Sequence, residues 1–153
     1  MTIEQIIKSN VALDNAKKVI LNVMYTQNII AEKFNEIMKP FELSSEQYNV
    51  LRILRGQKQN PVNMCTIQER MIAKNSNTTR LIDKLLLKKL VTRQVCPINR
   101  RKIEVEITAA GLKLLAQLDP KIIEHEQFFA KNLEVLEVQQ LNNLLEKYRT
   151  IKQ

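Results

Sequence analysis

The stretch SNTTRLIDKLLLKKLVTRQVCPINRRKIEVEITAAG, residues 76–111, decides the fold. Its first half places apolar residues at helical spacing behind a short polar start, which predicts a helix that begins after Ser76. Its second half holds two runs of alternating, branched residues, 90–96 and 102–108, which predict two strands. The turn PINRR joins them as the tip of a β-hairpin.

A shorter helix is predicted ahead of this stretch. Thr66 and Glu69 are spaced as a capping box, so a helix is expected to begin there and to run to about Ile72. Ser76 is expected to cap the longer helix with its hydroxyl. A short helix, a tight turn and a longer helix with a polar start form a helix-turn-helix, and the hairpin behind it makes a winged helix.

Long helices flank this unit on both sides. Apolar periodicity and capping residues predict helices over the ranges 13–38, 44–56, 108–130 and 134–151. The second of these opens with Ser44 and Gln47, spaced as a capping box. Between it and the short helix, the stretch KQNPVN is expected to be a loop. The last helix is expected to turn six apolar side chains inward: Leu136, Leu141, Leu144, Leu145, Tyr148 and Ile151.

Together these elements predict a mainly α fold of one domain, residues 1–153. A winged helix-turn-helix with a two-stranded β-wing occupies 41–107, and dimerisation helices in 1–40 and 108–153 flank it. Two glycines and four prolines in 153 residues are few, which favours long helices over a turn-rich sheet protein. The terminal helices carry more apolar face than one chain can cover, so we expect them to form a homodimer.

Positive charge is concentrated in one short segment. The formal net charge is +8, and residues 80–102 hold eight cations against the single anion Asp83. A focused positive field of this kind attracts a polyanion, and nucleic acid is the usual one. The alternative is a solvated surface that only keeps the protein soluble.

The start of the longer helix has the chemistry that reads base pairs. A recognition helix offers short polar donors and acceptors near its N-terminus. Four side chains meet that need: Ser76, Asn77, Thr79 and Arg80. Asp83 is placed to orient the guanidinium of Arg80. The simpler interpretation is a helix cap for Ser76 and exposed surface for Asn77 and Thr79. Three further cations are expected to contact phosphates: Lys84, Lys88 and Arg93.

Three consecutive cations stand at the tip of the hairpin: Arg100, Arg101 and Lys102. A hairpin beside a recognition helix can reach the adjacent minor groove, where narrow A·T-rich DNA has a strong negative potential. A turn that was merely soluble would more naturally mix charges of both signs. We therefore predict that the wing binds the minor groove of double-stranded DNA.

These segments resemble the MarR family, the multiple-antibiotic-resistance type of bacterial regulator. The resemblance rests on ELSSEQYNVLRIL (42–54) and on residues 76–115, and its most specific part is 78–111, from TTRLIDKL to ITAAG. It implies a homodimer whose first and last helices interlock and whose two winged helices read a pseudo-palindrome. Members typically repress nearby genes and release DNA when a small, often aromatic, ligand or an oxidant acts.

Two positions depart from the family pattern. The family wing usually reads Asp-x-Arg, where the Asp orients the Arg through a salt bridge. This chain has Asn99-Arg100-Arg101, and Asn99 can form a hydrogen bond but no salt bridge, so the orientation of Arg101 is less constrained. The family also favours glycine before the first wing strand, where Lys89 stands here. Lys89 has to adopt or avoid a left-handed conformation, at a cost of about 1 kcal/mol. Neither departure threatens the fold.

Ligand, metal and redox sites have weaker signals. Four side chains are candidates to line an aromatic-ligand pocket between the dimer helices and the DNA-binding unit: Tyr25, Met38, Phe41 and Tyr48. Core packing is the rival interpretation for each. His125, the only histidine, lacks partners at metal-ligand spacing and is expected on the surface. Cys65 and Cys96 show no zinc spacing and are expected to be packed side chains rather than sensors.

Other functional classes find little support. No cofactor motif is present, and a single histidine without a nucleophile motif makes an enzyme a poor hypothesis. The sequence shows neither a spanning segment nor a signal peptide, so we expect a cytoplasmic protein with no membrane partner. The main hypothesis is a sequence-specific DNA-binding regulator, expected to be a repressor. The alternative is a helical interaction module or adaptor whose basic wing binds an acidic partner.

Overall fold

The computed structural model describes residues 1–58, 60–100 and 102–150. The fold is mainly α with a small antiparallel sheet, as predicted. The elements in chain order are α1 Ile3–Ile6, α2 Asn15–Met38, a 3-10 helix Lys39–Phe41, α3 Ser45–Arg55, β1 Val62–Asn63, α4 Met64–Arg70, α5 Thr78–Leu87, β2 Val91–Val95, β3 Ile103–Ile107, α6 Ala109–Ala130 and α7 Val135–Arg149. The predicted capping box at the start of α3 is present, with Ser44 and Gln47 each bonded to the other's backbone.

The sheet has one strand more than the predicted hairpin. β1 pairs antiparallel with β3, which pairs in turn with β2, so the strand order is β1-β3-β2. The expectation that KQNPVN forms only a loop is therefore wrong at its last two residues. A strand of two residues is too short to show an alternating pattern. Only its partners, Val105 opposite Val62 and Glu104 opposite Asn63, define it.

One hydrophobic core lies where α3, α4, α5, the sheet and the first half of α6 meet. Its fully buried side chains include Val50, Leu51, Ile67, Ile82, Leu85, Val105, Leu115 and Leu118. Burying an aliphatic side chain of this size contributes roughly 1.5–3 kcal/mol. Because α5 and β3 share this core, the helix-turn-helix and the wing are held as one unit.

The junction of α5, β2 and α6 is close-packed. Thr108 caps α6 as predicted, since its hydroxyl oxygen accepts from the Gly111 N–H at 3.1 Å. The same hydroxyl donates to the Lys89 carbonyl at 2.9 Å. A Cβ on Gly111 would lie 2.4 Å from the Leu90 carbonyl oxygen and 2.7 Å from Ile107 Cγ1. Only glycine lets α6 approach the strands so closely, and this approach fixes where α6 leaves the sheet.

Lys89 adopts the left-handed conformation, with φ 58°. The Leu90 N–H donates to the Leu85 carbonyl at 3.0 Å, and the Lys89 N–H donates to the Leu86 carbonyl at 2.9 Å. This pair of hydrogen bonds is the Schellman motif that usually places glycine where Lys89 stands. The chain therefore accepts a strained lysine at the point where α5 turns into the wing.

α7 and parts of α2 and α6 leave apolar side chains uncovered. None of the residues of α7 is buried. The expectation that its apolar face turns inward is thus wrong for a single chain at Leu136, Leu141, Leu144, Leu145 and Tyr148; Ile151 lies outside the described residues. Val19, Ile20, Val23, Met24 and Ile30 of α2 and Ile123 and Phe128 of α6 are also exposed. In the described part of the chain, no helix combines the length and apolarity that a membrane crossing needs.

Candidate nucleic-acid interface

Asparagine residues open both helices of the helix-turn-helix. Asn63 Oδ1 accepts the Thr66 N–H at 2.9 Å and so caps α4, while Asn77 Oδ1 accepts the Arg80 N–H at 3.0 Å and so caps α5. The predicted caps at Thr66 and Ser76 are therefore wrong. Asparagine caps a helix as well as serine or threonine does. The residue types alone therefore do not decide between Asn63 and Thr66, or between Ser76 and Asn77, as the cap.

Gln68 of α4 ties the two helices together across the turn. Its Oε1 accepts a hydrogen bond from the Thr78 hydroxyl, and its Nε2 donates to the Lys74 carbonyl at 2.6 Å. Thr78 is buried, so the first of these bonds lies inside the motif. Nothing in the sequence separates Gln68 from an ordinary exposed glutamine, and the sequence interpretation did not include it.

The first turn of α5 presents three exposed polar side chains: Asn77, Thr79 and Arg80. Ser76 is half-buried beside them. A bidentate pairing with adenine needs both the oxygen and the nitrogen of an asparagine amide. Because the Asn77 oxygen already accepts the capping bond, its nitrogen is the group left to meet a base or a phosphate. Thr79 and Arg80 follow Asn77 with exposed side chains.

The wing is a hairpin with a closed tip. The Cys96 N–H donates to the Lys102 carbonyl at 2.9 Å, and the Lys102 N–H donates to the Asn99 carbonyl at 2.8 Å. Arg100 and Lys102 are both exposed at this tip. Arg101, the third cation predicted to bind DNA, lies outside the described residues. The wing therefore holds Arg100 and Lys102 at the end of a short, hydrogen-bonded turn.

Arg93 joins the wing to α5. Its Nη1 lies 2.7 Å from Asp83 Oδ1. The expected pairing of Asp83 with Arg80 is thus replaced by a link between β2 and α5. This link orients the hairpin against the helix. It also compensates the charge of Arg93, which weakens the expectation of a phosphate contact at that residue.

Lys84 on α5 and Lys88, the residue just after α5, have different surroundings. Lys84 is exposed. Lys88 Nζ donates to the Glu42 carbonyl at 2.7 Å and lies 3.6 Å from the Glu42 carboxylate. Lys88 therefore anchors the end of α5 to the segment before α3, and Lys84 is the better placed of the two for a phosphate.

A cleft of about 530 Å³ lies between the second half of α2, the 3-10 helix and α6. Its lining residues are Lys33, Glu36, Ile37, Pro40, Phe41, Lys121, Glu124, His125 and Phe128. Of the four predicted pocket residues, Phe41 alone is among them. Met38 and Tyr48 are buried in the core, and Tyr25 lies on an exposed part of α2. The structure therefore does not bring the predicted set of four together.

His125 lies in a row of aromatic rings that connects α2, α3 and α6. Its ring centroid is 5.5 Å from that of Phe34 and 5.2 Å from that of Phe129, and Phe34 lies 5.3 Å from Tyr48. His125 Nε2 also lies 3.3 Å from the Ile30 carbonyl oxygen. The half-buried position corrects the expectation of a surface histidine. Burial in the same row raises the pKa of the Tyr48 phenol.

Arg55 and Asp119 form a second connection between α3 and α6. Arg55 Nη1 donates to both Asp119 oxygens, at 2.9 and 2.8 Å. These hydrogen bonds raise the pKa of the Arg55 guanidinium, which stays charged at any physiological pH. The two residues are 64 positions apart, so no local sequence pattern indicated the pair.

The two cysteines lie in different environments. Cys96 is buried at the base of the wing tip, as expected, whereas Cys65 is exposed on α4, which corrects its predicted packing. Cys65 borders a shallow cavity of about 510 Å³ between α4 and the start of α5. Among the residues that the structure describes, no group of three or more His, Cys, Asp or Glu side chains is placed to hold a metal ion.

Comparisons with known proteins agree with this geometry. A family model described as MarR family matches residues 43–103. The chain is 30% identical over 119 residues to the HTH-type transcriptional regulator YpoP of Bacillus subtilis (strain 168). The aligned residues cover 78% of this chain and 80% of that protein.

Two solved structures extend the comparison over most of the chain. A MarR transcription factor from Planctomyces limnophilus is 33% identical with a TM-score of 0.69, covering 89% of this chain and 98% of that one. BpsR from Bordetella bronchiseptica, whose DNA binding is regulated by 6-hydroxynicotinic acid, has a TM-score of 0.80 at 20% identity, covering 93% and 100%. At that identity the second likeness concerns the fold alone.

Proposed function

We propose a function that proceeds from one premise: this chain belongs to the MarR family of transcription regulators. The chain is a DNA-binding regulator, and we propose that it acts as a homodimeric repressor on a pseudo-palindromic operator. The observation that carries this proposal is the exposed basic face formed by the first turn of α5 and the wing. A small effector at the cleft between α2 and α6 is proposed to release the DNA.

The basic face supports two kinds of DNA contact. The exposed side chains at the start of α5, Asn77, Thr79 and Arg80, suit base edges in the major groove, with Ser76 beside them. Lys84, further along α5, suits a phosphate. At the wing, Arg100 and Lys102 suit the negative potential of the minor groove. Arg101 is assigned to the same contact from the sequence alone.

The uncovered apolar faces support the homodimer. On α7, Leu136, Leu144 and Tyr148 expose 70%, 62% and 51% of their surface. Exposed apolar side chains on three helices are unfavourable in water and typical of a protein–protein interface. A second copy that covers these faces in a two-fold arrangement presents two copies of α5, as a pseudo-palindromic operator requires.

An aromatic acid is the proposed effector of the cleft, whose lining combines two phenylalanine rings with two lysines and two glutamates. Two ammonium groups lie near the Phe128 ring, Lys33 Nζ at 4.9 Å and Lys131 Nζ at 4.5 Å from its centroid, and Lys121 also lines the cleft. An aromatic ring offers a stacking surface and a cation attracts a carboxylate. The 6-hydroxynicotinic acid that regulates BpsR has both an aromatic ring and a carboxylate. A ligand here touches both α2 and α6, so it is placed to change the spacing of the two α5 helices in a dimer.

Site selection from a random duplex pool tests the DNA-binding proposal. The selected duplex is titrated at several salt concentrations with the wild type, with Arg100→Ala, and with Lys147→Ala as a control of equal charge on α7. We expect Arg100→Ala to weaken binding and to reduce the slope of log Kd against log salt by about 1 for each lost phosphate contact. Lys147→Ala should leave the slope unchanged. Equally weak binding to every duplex would reject the proposal and favour an adaptor that binds an acidic partner.

Transcription in vitro tests the direction of regulation. A promoter that carries the selected site is transcribed with and without the protein, and a repressor lowers the amount of transcript. Adding an aromatic acid such as 6-hydroxynicotinate is expected to restore it. Restoration that persists in Phe128→Ala would place the effector somewhere other than the cleft.

A further inference from the structure

The wing carries an uncovered apolar patch in addition to its cations. Ile98 at the tip is 97% exposed. Val95 and Ile103, paired directly across the hairpin, are 57% and 40% exposed. Most other large apolar side chains that are exposed lie on α2, α6 and α7, where a second copy is proposed to cover them. The wing patch is separate from those faces and needs a different explanation.

The backbone on either side of Ile98 is constrained. The backbone bond from the Cys96 N–H to the Lys102 carbonyl, 2.9 Å long, closes the turn that contains it. Pro97 directly precedes Ile98, and its ring fixes its own backbone angle φ. The β-branched side chain of isoleucine has few rotamers to lose on contact. Ile98 therefore resembles a preformed projection more than a side chain on a loose loop.

The charge around Ile98 identifies what covers it. Arg100 and Lys102 are exposed on the same tip. Two cations beside an apolar side chain disfavour an apolar protein surface as the partner, because both charges would lose their hydration on contact. They suit the minor groove, which joins negative potential to apolar sugar walls and base edges.

Resting on the proposed function, we propose that Ile98 is an apolar wedge that enters the minor groove beside Arg100 and packs against a pyrimidine–purine step. Apolar side chains that enter the minor groove partly unstack a base step and bend the duplex. TA and CA/TG steps are the easiest to deform in this way. Ile98 thus gives the wing a sequence preference of its own, outside the base pairs that α5 reads.

The test compares two duplexes and three proteins. One duplex is the selected operator with a TA step under the wing, and the other has AA at that step. The proteins are the wild type, Ile98→Ser, and Leu87→Ser as a control, since Leu87 is 84% exposed at the end of α5 and lies outside the wing tip. Affinities are measured at several salt concentrations, and 2-aminopurine at the step reports unstacking by its fluorescence.

The wild type is expected to prefer the TA duplex by about tenfold, the usual scale for one base-pair step. Ile98→Ser should lose this preference and bind the TA duplex about tenfold more weakly, with an unchanged salt slope, because it loses apolar burial and no charge. The 2-aminopurine fluorescence should rise with the wild type and with Leu87→Ser, and stay flat with Ile98→Ser. Ile98→Leu should restore the preference.

Three outcomes would overturn the wedge. If Ile98→Ser binds both duplexes as the wild type does, Ile98 makes no contact that matters, while the duplex-binding function stands. If Ile98→Ser reduces the salt slope, the substitution acts by displacing Arg100. If the wild type binds no duplex specifically, the proposed function fails and the wedge fails with it. Thermal unfolding of each variant checks that the fold is intact.

Discussion

Gly111 is a residue whose replacement should damage the fold directly. Its Cβ would stand 2.4 Å from a backbone oxygen that cannot rotate away. We expect Gly111→Ala to lower the free energy of unfolding by about 1–3 kcal/mol, the range for overpacking a tight site. Chemical denaturation measures this.

The other glycine provides the matched control. A Cβ on Gly56 would meet its nearest neighbour, the Ile53 carbonyl oxygen, at an ordinary 3.4 Å. Gly56→Ala should therefore be neutral or slightly stabilising, because alanine restricts the unfolded chain. Equal losses at both glycines would contradict the close approach of α6 to the sheet.

The ion pair of Arg93 with Asp83 makes a second prediction about single residues. Because Asp83 compensates its charge at 2.7 Å, Arg93→Ala should reduce the salt dependence of DNA binding less than Arg100→Ala does. Asp83→Asn should increase that dependence, because it frees the Arg93 charge. Salt titrations of the three variants on one duplex decide the matter, and identical slopes for the two arginine variants would show that Arg93 contacts a phosphate after all.

Single residues were predictable from the sequence only where local rules have one solution. The cap at Thr108 follows from residue type and spacing, and the structure has it. The resemblance to the family singled out Lys89 as a residue that adopts or avoids a left-handed conformation, and the structure shows that it adopts one. Ser76 and Asn77 are equally good caps by type, and only the path of the turn selects Asn77. Gln68 acts through a buried threonine ten residues away, which no local rule detects.

Among the elements, the turn from α5 into β2 carries strain that a substitution can relieve. Lys89 has φ 58° in a Schellman motif, where glycine has no Cβ to strain. Lys89→Gly should therefore raise the free energy of unfolding by about 0.5–1 kcal/mol. Lys89→Ala removes the same charge but keeps the Cβ, so it should give no gain. A gain with alanine as large as with glycine would assign the effect to charge.

The helices and the hairpin were predictable because their periodicity is long, whereas short or buried elements were not. β1 has two residues and exists through its pairing with β3. The predicted ligand pocket differs from the cleft for a related reason. Met38 and Tyr48 have the right chemistry for a pocket, but both side chains are buried in the hydrophobic core. Which face of a helix meets which neighbour is decided by tertiary packing.

For the whole molecule, the apolar face of α7 predicts dependence on a second copy. The double substitution Leu141→Glu/Leu144→Glu places two charges on that face, so it should turn the proposed dimer into a monomer and abolish tight DNA binding. Gln139→Glu/Asn143→Glu adds the same charge to the polar side of α7 and should leave both unchanged. Analytical ultracentrifugation measures the assembly. A first variant that stays dimeric would remove α7 from the interface.

The apolar spacing of α7 predicted a buried helix, and the fold of one chain leaves this helix exposed. Its apolar spacing is that of a packed helix, and Leu136 and Leu144 were expected inside. In one chain no core lies against them, and they are 70% and 62% exposed. Periodicity indicates that a face is to be covered, and it does not say by which chain.

The footprint and stoichiometry of the protein on its selected duplex test the proposal that two basic winged helices bind one operator together. Hydroxyl-radical cleavage should show two protected half-sites about one helical turn apart, with additional minor-groove protection outside them from the wings. Sedimentation of the complex should give two chains per duplex. One chain per duplex, or protection spread evenly along it, would contradict a dimeric, sequence-reading regulator.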